Sequence, residues 1–330
     1  MDRSIEGVSV ILCCYNSANR IKKTLEYLAR QEVSISLKWE IILVNNNSTD
    51  STVLISKNTW NNLGAPSPML VVDETQPGLS FAREKGMSAA QYDIFLFCDD
   101  DNWLHKNYIQ RVHDIFNKHP EFGALGGWCE AVFEKEEPDW FTDFAGNFAV
   151  GRPKENSGIL DTANSFLYGA GLAMSRKAKL SLNENGFANI LSDRKGKQLS
   201  SGGDVEIIYA LKLMGFSVYF DEQLYFNHFM PSQRLTWEYL IKLRKSMYWS
   251  NFVLGIYVDA QKNVPYDIKA IFRKIVNNIK YILKHKRRLQ KLNESDALFL
   301  KNQINTRKLF LKNINFYIKT RKRLDQLING

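Results

Sequence analysis

The sequence is short of cysteine and has no long apolar run, and each shortage excludes something. Its four cysteines, Cys13, Cys14, Cys98 and Cys129, contain no C-x-x-C pair, which argues against a zinc or dithiol redox site. Cys13, Cys14 and Cys98 sit in or beside apolar strand-like runs and read as buried free thiols, as suits a reducing compartment. No stretch approaches the ~18 uninterrupted apolar residues of a membrane-spanning helix. The charged segment 1–7 and the apolar run 8–14 are together too short for a signal peptide. The expectation is a cytoplasmic protein, peripheral at the inner face of the cell membrane if it meets a membrane at all. Nothing repeats at a solenoid period.

What is present is ordinary in bulk and uneven in charge. With 330 residues, 45% hydrophobic and 24% charged, the chain is long and apolar enough for one large domain with an appendage. The formal net charge is +9. Residues 261–330 hold 18 Lys/Arg against 4 Asp/Glu, which leaves 26 basic and 31 acidic residues in the first 260. The basicity therefore belongs to the tail and points to a separate role for it. Domains are expected at 1–250, carrying the chemistry, and at 251–330, a basic amphipathic helical region.

Three times in the first hundred residues a short apolar run is followed by a polar loop and a helix-like pattern. The runs lie at 8–14, 40–44, 69–72 and 93–98, and the helical periods after 21, after 50 and from 81 to about 90. Continuous apolar strands alternating with helices imply a mainly parallel sheet covered on both faces, an α/β fold. Ligands of such sheets bind at the carboxyl ends of the strands, and the polar loops 15–19, 45–50 and 99–102 all follow strand ends. Further on, 123–127, 166–174 and 217–220 read as strands and 205–214 as a helix. The Gly/Ser/Lys-rich segment 191–203 reads as a mobile, hinged lid. From 235 onward the chain reads as helix, and Ile268, Ile271, Phe272, Ile275, Val276, Ile279, Ile282 and Leu283 keep an amphipathic period.

Four groups could carry chemistry. Asp99-Asp100-Asp101 follows an apolar strand, and acids two apart there can share one hard divalent cation; the alternative is a solvated acidic turn. Asp204, in Gly202-Gly-Asp-Val-Glu206, sits at a helix start that favours its charged form. It could act as a general base or simply cap the helix. Arg83 could meet a phosphate or be an ordinary helix arginine. His228 could complete a metal site or be a structural histidine.

Taken together and in order, these pieces resemble glycosyltransferase family 2, with the nucleotide-binding fold called GT-A. The resemblance covers about residues 6–250. The opening strand ending in Tyr15-Asn16, the second strand with its loop 45–50, and Gly78-Leu-Ser-Phe-Ala-Arg83 are similar to that family's pieces. So are Asp99 and Asp101 as its D-x-D, the small residues Gly169-Ala-Gly171, Gly203-Asp204, and His228-Phe-Met-Pro231 followed by Arg234. Two departures stand out. Asn45-Asn46-Asn47 replaces the usual Asp-Asp-Gly, and Gly203-Asp204 replaces the usual Glu-Asp, with Glu206 as a candidate partner for Asp204.

The resemblance implies an inverting transfer from a nucleotide-sugar, a UDP-sugar first, to a hydroxyl of a glycan or lipid-linked acceptor. Tyr15 and Asn46 would hold the base and ribose, and Asp99 and Asp100 would belong to the donor site with Arg83. Asp99, Asp101 and His228 would hold Mn²⁺ or Mg²⁺, and Asp204 would take the acceptor proton. Trp128, Trp140 and Phe141 could stack on a sugar or fill the core. The basic tail either lies on an anionic bilayer or packs on the protein. Nucleic acid is not an expected partner, because the tail lacks interleaved aromatics, and the oligomeric state stays open. The competing readings are a nucleotidyltransferase, whose glycine-rich first loop is missing at 15–19, and a non-catalytic carbohydrate-binding scaffold.

Overall fold

The computed structural model describes residues 6–194 and 199–329. Four residues of the expected lid, 195–198, therefore lie outside the described residues. The chain begins β1 (Gly7–Cys14), α1 (Ile21–Ala29), β2 (Lys38–Asn45), α2 (Thr52–Asn62), β3 (Met69–Asp73), α3 (Leu79–Ala89) and β4 (Ile94–Asp99). It continues β5 (Asn102–Leu104), α4 (Tyr108–Lys118), β6 (Phe122–Phe133), α5 (Phe141–Phe144), β7 (Gly158–Ile159), β8 (Ala173–Ser175) and α6 (Arg176–Glu184). It ends α7 (Gly203–Leu213), β9 (Ser217–Met230), α8 (Trp237–Gln261), α9 (Ile268–Arg288), α10 (Glu294–Lys312) and α11 (Ile314–Asn329).

The strands form one sheet in the order β3-β2-β1-β4-β8-β6-β9-β5, with β7 pairing β9. β1 to β4 are parallel, and β1 and β4 are buried along almost their whole length. That is what their continuous apolar runs require, since helices cover both faces. The chain steps outward from β1 to β2 and β3, then returns to the other side of β1 to lay down β4. β1 and β4 are thus the switch point of the sheet, where a crevice opens at the carboxyl ends. Cys13 stands opposite Asp99 there, and Cys14 opposite Asn45.

The second half of the sheet departs from the expected strands. The segment 166–174 forms a strand only at β8, antiparallel to β4 and β6. Before it, Gly171 at φ +69° turns the backbone out of extension. β9 runs ten residues beyond the expected 217–220 because it gains two partners, β6 alongside and β5 antiparallel. The β5–β9 register places His228 opposite Asn102.

The helical tail is not a separate layer. α8 is one continuous helix, started by Thr236, whose side chain accepts from the Tyr239 N–H, and the expected boundary at 250/251 falls inside it. Phe252, Val253, Ile256 and Tyr257 of α8 share one apolar cluster with Ile11, Ile42 and Phe97 of the sheet and with Phe310, Tyr317 and Leu324 of α10 and α11.

Glu206 belongs to this junction rather than to the chemistry expected of it. Fully buried, its carboxylate accepts from the backbone N–H of Ile190 and Leu191, at 3.0 and 2.8 Å, and from the Tyr257 hydroxyl at 2.6 Å. Burial pushes this carboxyl up, and those donors hold it back. It ties α7 to α8 and is not Asp204's partner. Glu206→Ala is expected to lower the unfolding free energy by about 3 kcal/mol, since it strands several buried donors. Urea titration reads this, and Glu206→Gln should lose clearly less.

Candidate functional site

A cavity of about 550 Å³ opens at the switch point. Tyr15, Asn46, Arg83, Asp99, Asp100, Asp101, Asp204 and His228 all line it. The loops that follow β1, β2 and β4 meet there because parallel strands point their carboxyl ends the same way. β9 and α7 supply the rest through long-range packing.

On one wall Asp101, 4% exposed, lies between His228 and Arg234. The His228 Nε2 is 3.6 Å from its Oδ1, and the Arg234 Nη1 is 3.1 Å from its Oδ2. Burial pushes the Asp101 carboxyl up, but these two partners overcome that and hold it well below the ordinary range. Asp99 goes the other way: burial raises it, and Arg83 at 3.9 Å only partly offsets the rise. The His228 Nδ1 is buried without a hydrogen-bond partner among the described residues. Also among the described residues, no three His, Cys, Asp or Glu side chains already converge as a metal cage. The donor set of Asp99, Asp101 and His228 nevertheless fits a Mg²⁺ or Mn²⁺ ion, which takes few protein ligands when phosphates and water supply the others.

Two of the expected donor-site residues turn out to be engaged elsewhere. Asp100 faces α1: its carboxylate accepts from the Ser17 hydroxyl and pairs with Arg20, Nε at 2.8 Å and Nη2 at 2.7 Å. Its carbonyl accepts from Thr24 at 2.8 Å. It anchors the acidic turn rather than offering a free carboxylate. Asn46 gives both amide hydrogens to the carbonyls of Glu74 and Gln76, at 3.0 and 2.8 Å, and accepts from the Gly78 N–H at 2.9 Å. It therefore shapes the turn that starts α3 and leaves little for a base. The next residue, Asn47, adopts φ +60°, a left-handed conformation that Asn tolerates. Tyr15 is 49% exposed at the cavity.

Deeper in, Arg83 is 8% exposed and lies over the Phe97 ring at 5.2 Å. Asp204 is not the helix cap, since that position is Gly202; its Oδ1 accepts from the Val205 N–H at 2.9 Å. Its Oδ2 and the Arg83 Nη2 both lie over Gly169, where a Cβ would sit 2.5 Å from the first and 2.8 Å from the second.

The sequence reading gave no role to Asp193, Arg194 or Arg234, the last noted only as part of the segment after His228. Asp193, 7% exposed, is 3.6 Å from the Arg83 Nη1 and accepts from the Gly203 N–H at 2.9 Å. A side chain at 203 would collide with it, since a Cβ there would sit 2.8 Å from its Oδ2. Asp193 thus fills the place beside Asp204 that Gly203 leaves empty. The signal was the Asp193-Arg194 pair beside the Gly/Ser stretch, which the lid reading absorbed. Of the aromatic candidates, Phe141 is 2% exposed in an apolar cluster, and Arg152 covers the Trp128 ring at 3.9 Å. Trp140 packs edge-on against Trp237. None of the three lines the cavity, whereas Phe148 does.

Burial, together with Asp204, raises the Asp193 carboxyl to about 6. A carboxyl raised in the folded state is favoured by folding only when neutral, so its contribution worsens as pH climbs from the ordinary value near 3.8 to about 6. Asp193→Asn is therefore expected to be more stable than wild type by on the order of 2 kcal/mol at pH 7. The gain should shrink as pH falls through 6 towards 4, as chemical denaturation at several pH values would read.

The family model described as Glycosyl transferase family 2 matches residues 9–180. The chain is 23% identical over 156 residues to Glycosyltransferase GlyA of Streptococcus pneumoniae, 47% of this chain and 21% of that protein. It is 30% identical over 125 residues to the poly-beta-1,6-N-acetyl-D-glucosamine synthase of Staphylococcus aureus, 37% of this chain and 28% of that one. It thus spans less than a third of the length of these curated relatives. Among solved structures, S. aureus TarS 1-349 in complex with UDP-GlcNAc superposes with a TM-score of 0.52 at 14% identity, covering 93% of this chain and 92% of that chain. A longer TarS structure gives 0.51 at 18% identity, covering 91% and 54%. At such identities the likeness speaks to the fold. The family model spans just over half of the chain, and the architecture agrees with it, so the chain belongs to glycosyl transferase family 2 and has the GT-A fold.

Proposed function

We propose that the chain is an inverting glycosyltransferase that moves a sugar from a UDP-sugar to a hydroxyl of a glycan or lipid-linked acceptor. The setting would be surface-polysaccharide or glycoconjugate synthesis, on the cytoplasmic side and at the membrane surface. One observation carries the reading. A single cavity at the switch point is lined by the carboxylates Asp99, Asp101 and Asp204, the buried guanidinium of Arg83 and the imidazole of His228. The relatives support it: one is named as a polysaccharide synthase, and the TarS crystals hold UDP and UDP-GlcNAc.

In this mechanism Tyr15 lies along the base at the cavity mouth, and Asn46 holds the 74–78 turn so that α3 presents Arg83 to the diphosphate. Asp99, Asp101 and His228 would hold Mg²⁺ or Mn²⁺, which when bound would supply Lewis-acid neutralisation of charge on the nucleoside diphosphate. Arg83 pairs with Asp193 and Asp99, and the negative charge of the diphosphate gives it a competing partner. The Asp204 Oδ2 takes the proton from the acceptor hydroxyl as that oxygen attacks the anomeric carbon.

Two measurements test this. Calorimetry of UDP, GDP and their sugar conjugates, with and without Mn²⁺, should give metal-dependent binding of the uridine compounds, weakened at least about tenfold in Asp101→Ala. Absence of any nucleotide binding would remove the donor site from the proposal. Asp204→Asn should keep that affinity and lose about 10²–10⁴-fold in kcat; full turnover in this variant sinks the base assignment.

A further inference from the structure

α9 has more apolar surface than its packing uses. Ile271, 8% exposed, and the half-buried Ile275 turn inward to the core shared with α10 and α11. Ile268, Phe272, Ile279 and Leu283 turn outward, at 90%, 67%, 43% and 65% exposure. At ~100° per residue these four fall within roughly 60° of one another on the helix surface. They form a stripe about 22 Å long, at 1.5 Å per residue. Single exposed apolar residues are normal, but four aligned on one helix form a patch that needs an explanation.

The charge beside that stripe is as ordered as the stripe itself. Each outward apolar residue is followed by an exposed basic one, giving Lys269, Arg273, Lys280 and Lys284. A basic row therefore runs about 100° round from the apolar row. α9 carries eight Lys/Arg and no Asp or Glu. The stripe cannot roll inward, because the opposite face is pinned. Lys274 pairs with Asp259, Tyr281 donates to Gln303, and Arg307 lies over the Tyr281 ring at 3.6 Å.

We propose that this outer face of α9 docks the protein on an anionic lipid bilayer. The four apolar side chains enter the boundary between headgroups and acyl chains, and the basic row meets lipid phosphates. Charge selects this occupant. A second copy of the same face would bring two acid-free helices of eight positive charges together, with nothing to offset the repulsion. None of the described helices is long and apolar enough to cross a membrane, so contact through α9 is in-plane. The proposal rests on the membrane-surface location offered above and gives it a surface; it does not depend on which nucleotide the cavity takes.

Flotation of the full chain with vesicles tests it, with no donor present. The protein should float with phosphatidylglycerol–phosphatidylcholine vesicles, release at high salt, and stay behind with phosphatidylcholine alone. The combined variant Ile268→Gln, Phe272→Gln, Ile279→Gln, Leu283→Gln should lose flotation. Its thermal midpoint and UDP affinity should stay as in wild type, because the substituted side chains are exposed and distant in sequence from the cavity residues. A second variant, Lys269→Gln, Arg273→Gln, Lys280→Gln, Lys284→Gln, should lose it too. Wild type that does not float, or an apolar-stripe variant that floats as wild type, overturns the proposal. So does a concentration-dependent dimer by light scattering that the stripe variant abolishes, since that outcome gives the face to a second copy. UDP binding in these variants reports separately on the donor site, so one reading can fail without the other.

Discussion

Three adjacent carboxylates, Asp100 and Asp101 buried and Asp99 half-buried, repel one another at the end of one strand, and the fold answers by bringing a separate guanidinium to each. Asp100 is met by Arg20 from the start of α1, Asp99 by Arg83 from α3, and Asp101 by Arg234 from the turn after β9. Burying an unpaired charge is costly enough that the acidic turn could not stay folded inward without them. The three arginines come from three distant parts of the chain, so the turn is also where α1, α3 and the end of β9 are held together. Asp100 is spent on that anchoring, which leaves Asp99 and Asp101 facing the cavity with unequal proton affinities.

The same economy governs the inner end of the cavity, where one arginine serves several acids. Arg83 lies within ion-pair range of Asp99 and Asp193, and Asp204 approaches it over Gly169. Two positions without side chains make this possible. Gly169 leaves room for the Asp204 and Arg83 side chains, and Gly203 for Asp193. Such a cluster holds more carboxylates than guanidinium groups, the arrangement that the proposed cation and diphosphate would complete.

The helical tail completes the catalytic domain rather than trailing from it. Glu206 joins α7 to α8, and α8 shares its apolar cluster with the sheet and with α10 and α11. Within that arrangement α9 is the exception, held firmly on one face and left apolar and basic on the other. Amphipathicity in α9 therefore serves two surfaces, and this is why its apolar period is wider than one packing face requires.

Elements that depend on neighbouring residues were legible in the sequence. Apolar runs such as 8–14 and 93–98 can only be strands covered on both faces, and the polar loops at their ends had to converge once the strands were parallel. The Asp99–Asp101 turn, Arg83 and Asp204 were visible for the same reason, because their chemistry is local to a strand end or a helix start. Other features depend on which distant segments meet. Nothing near His228 reveals that β9 pairs with β5 and carries it to Asp101. Nothing near Asn46 reveals that its amide is used up on the 74–78 turn, or near Asp193 that it fills the space above Gly203. The strand expected at 166–174 failed because the left-handed backbone at Gly171 answers to the close approach of the Tyr108 and Phe226 side chains in the core, not to the apolar pattern. Periodicity and charge in the chain determined the layers and the acidic centre; pairing across the sheet and burial of charge, which act between residues from ten to more than a hundred apart, decided which side chains the centre contains.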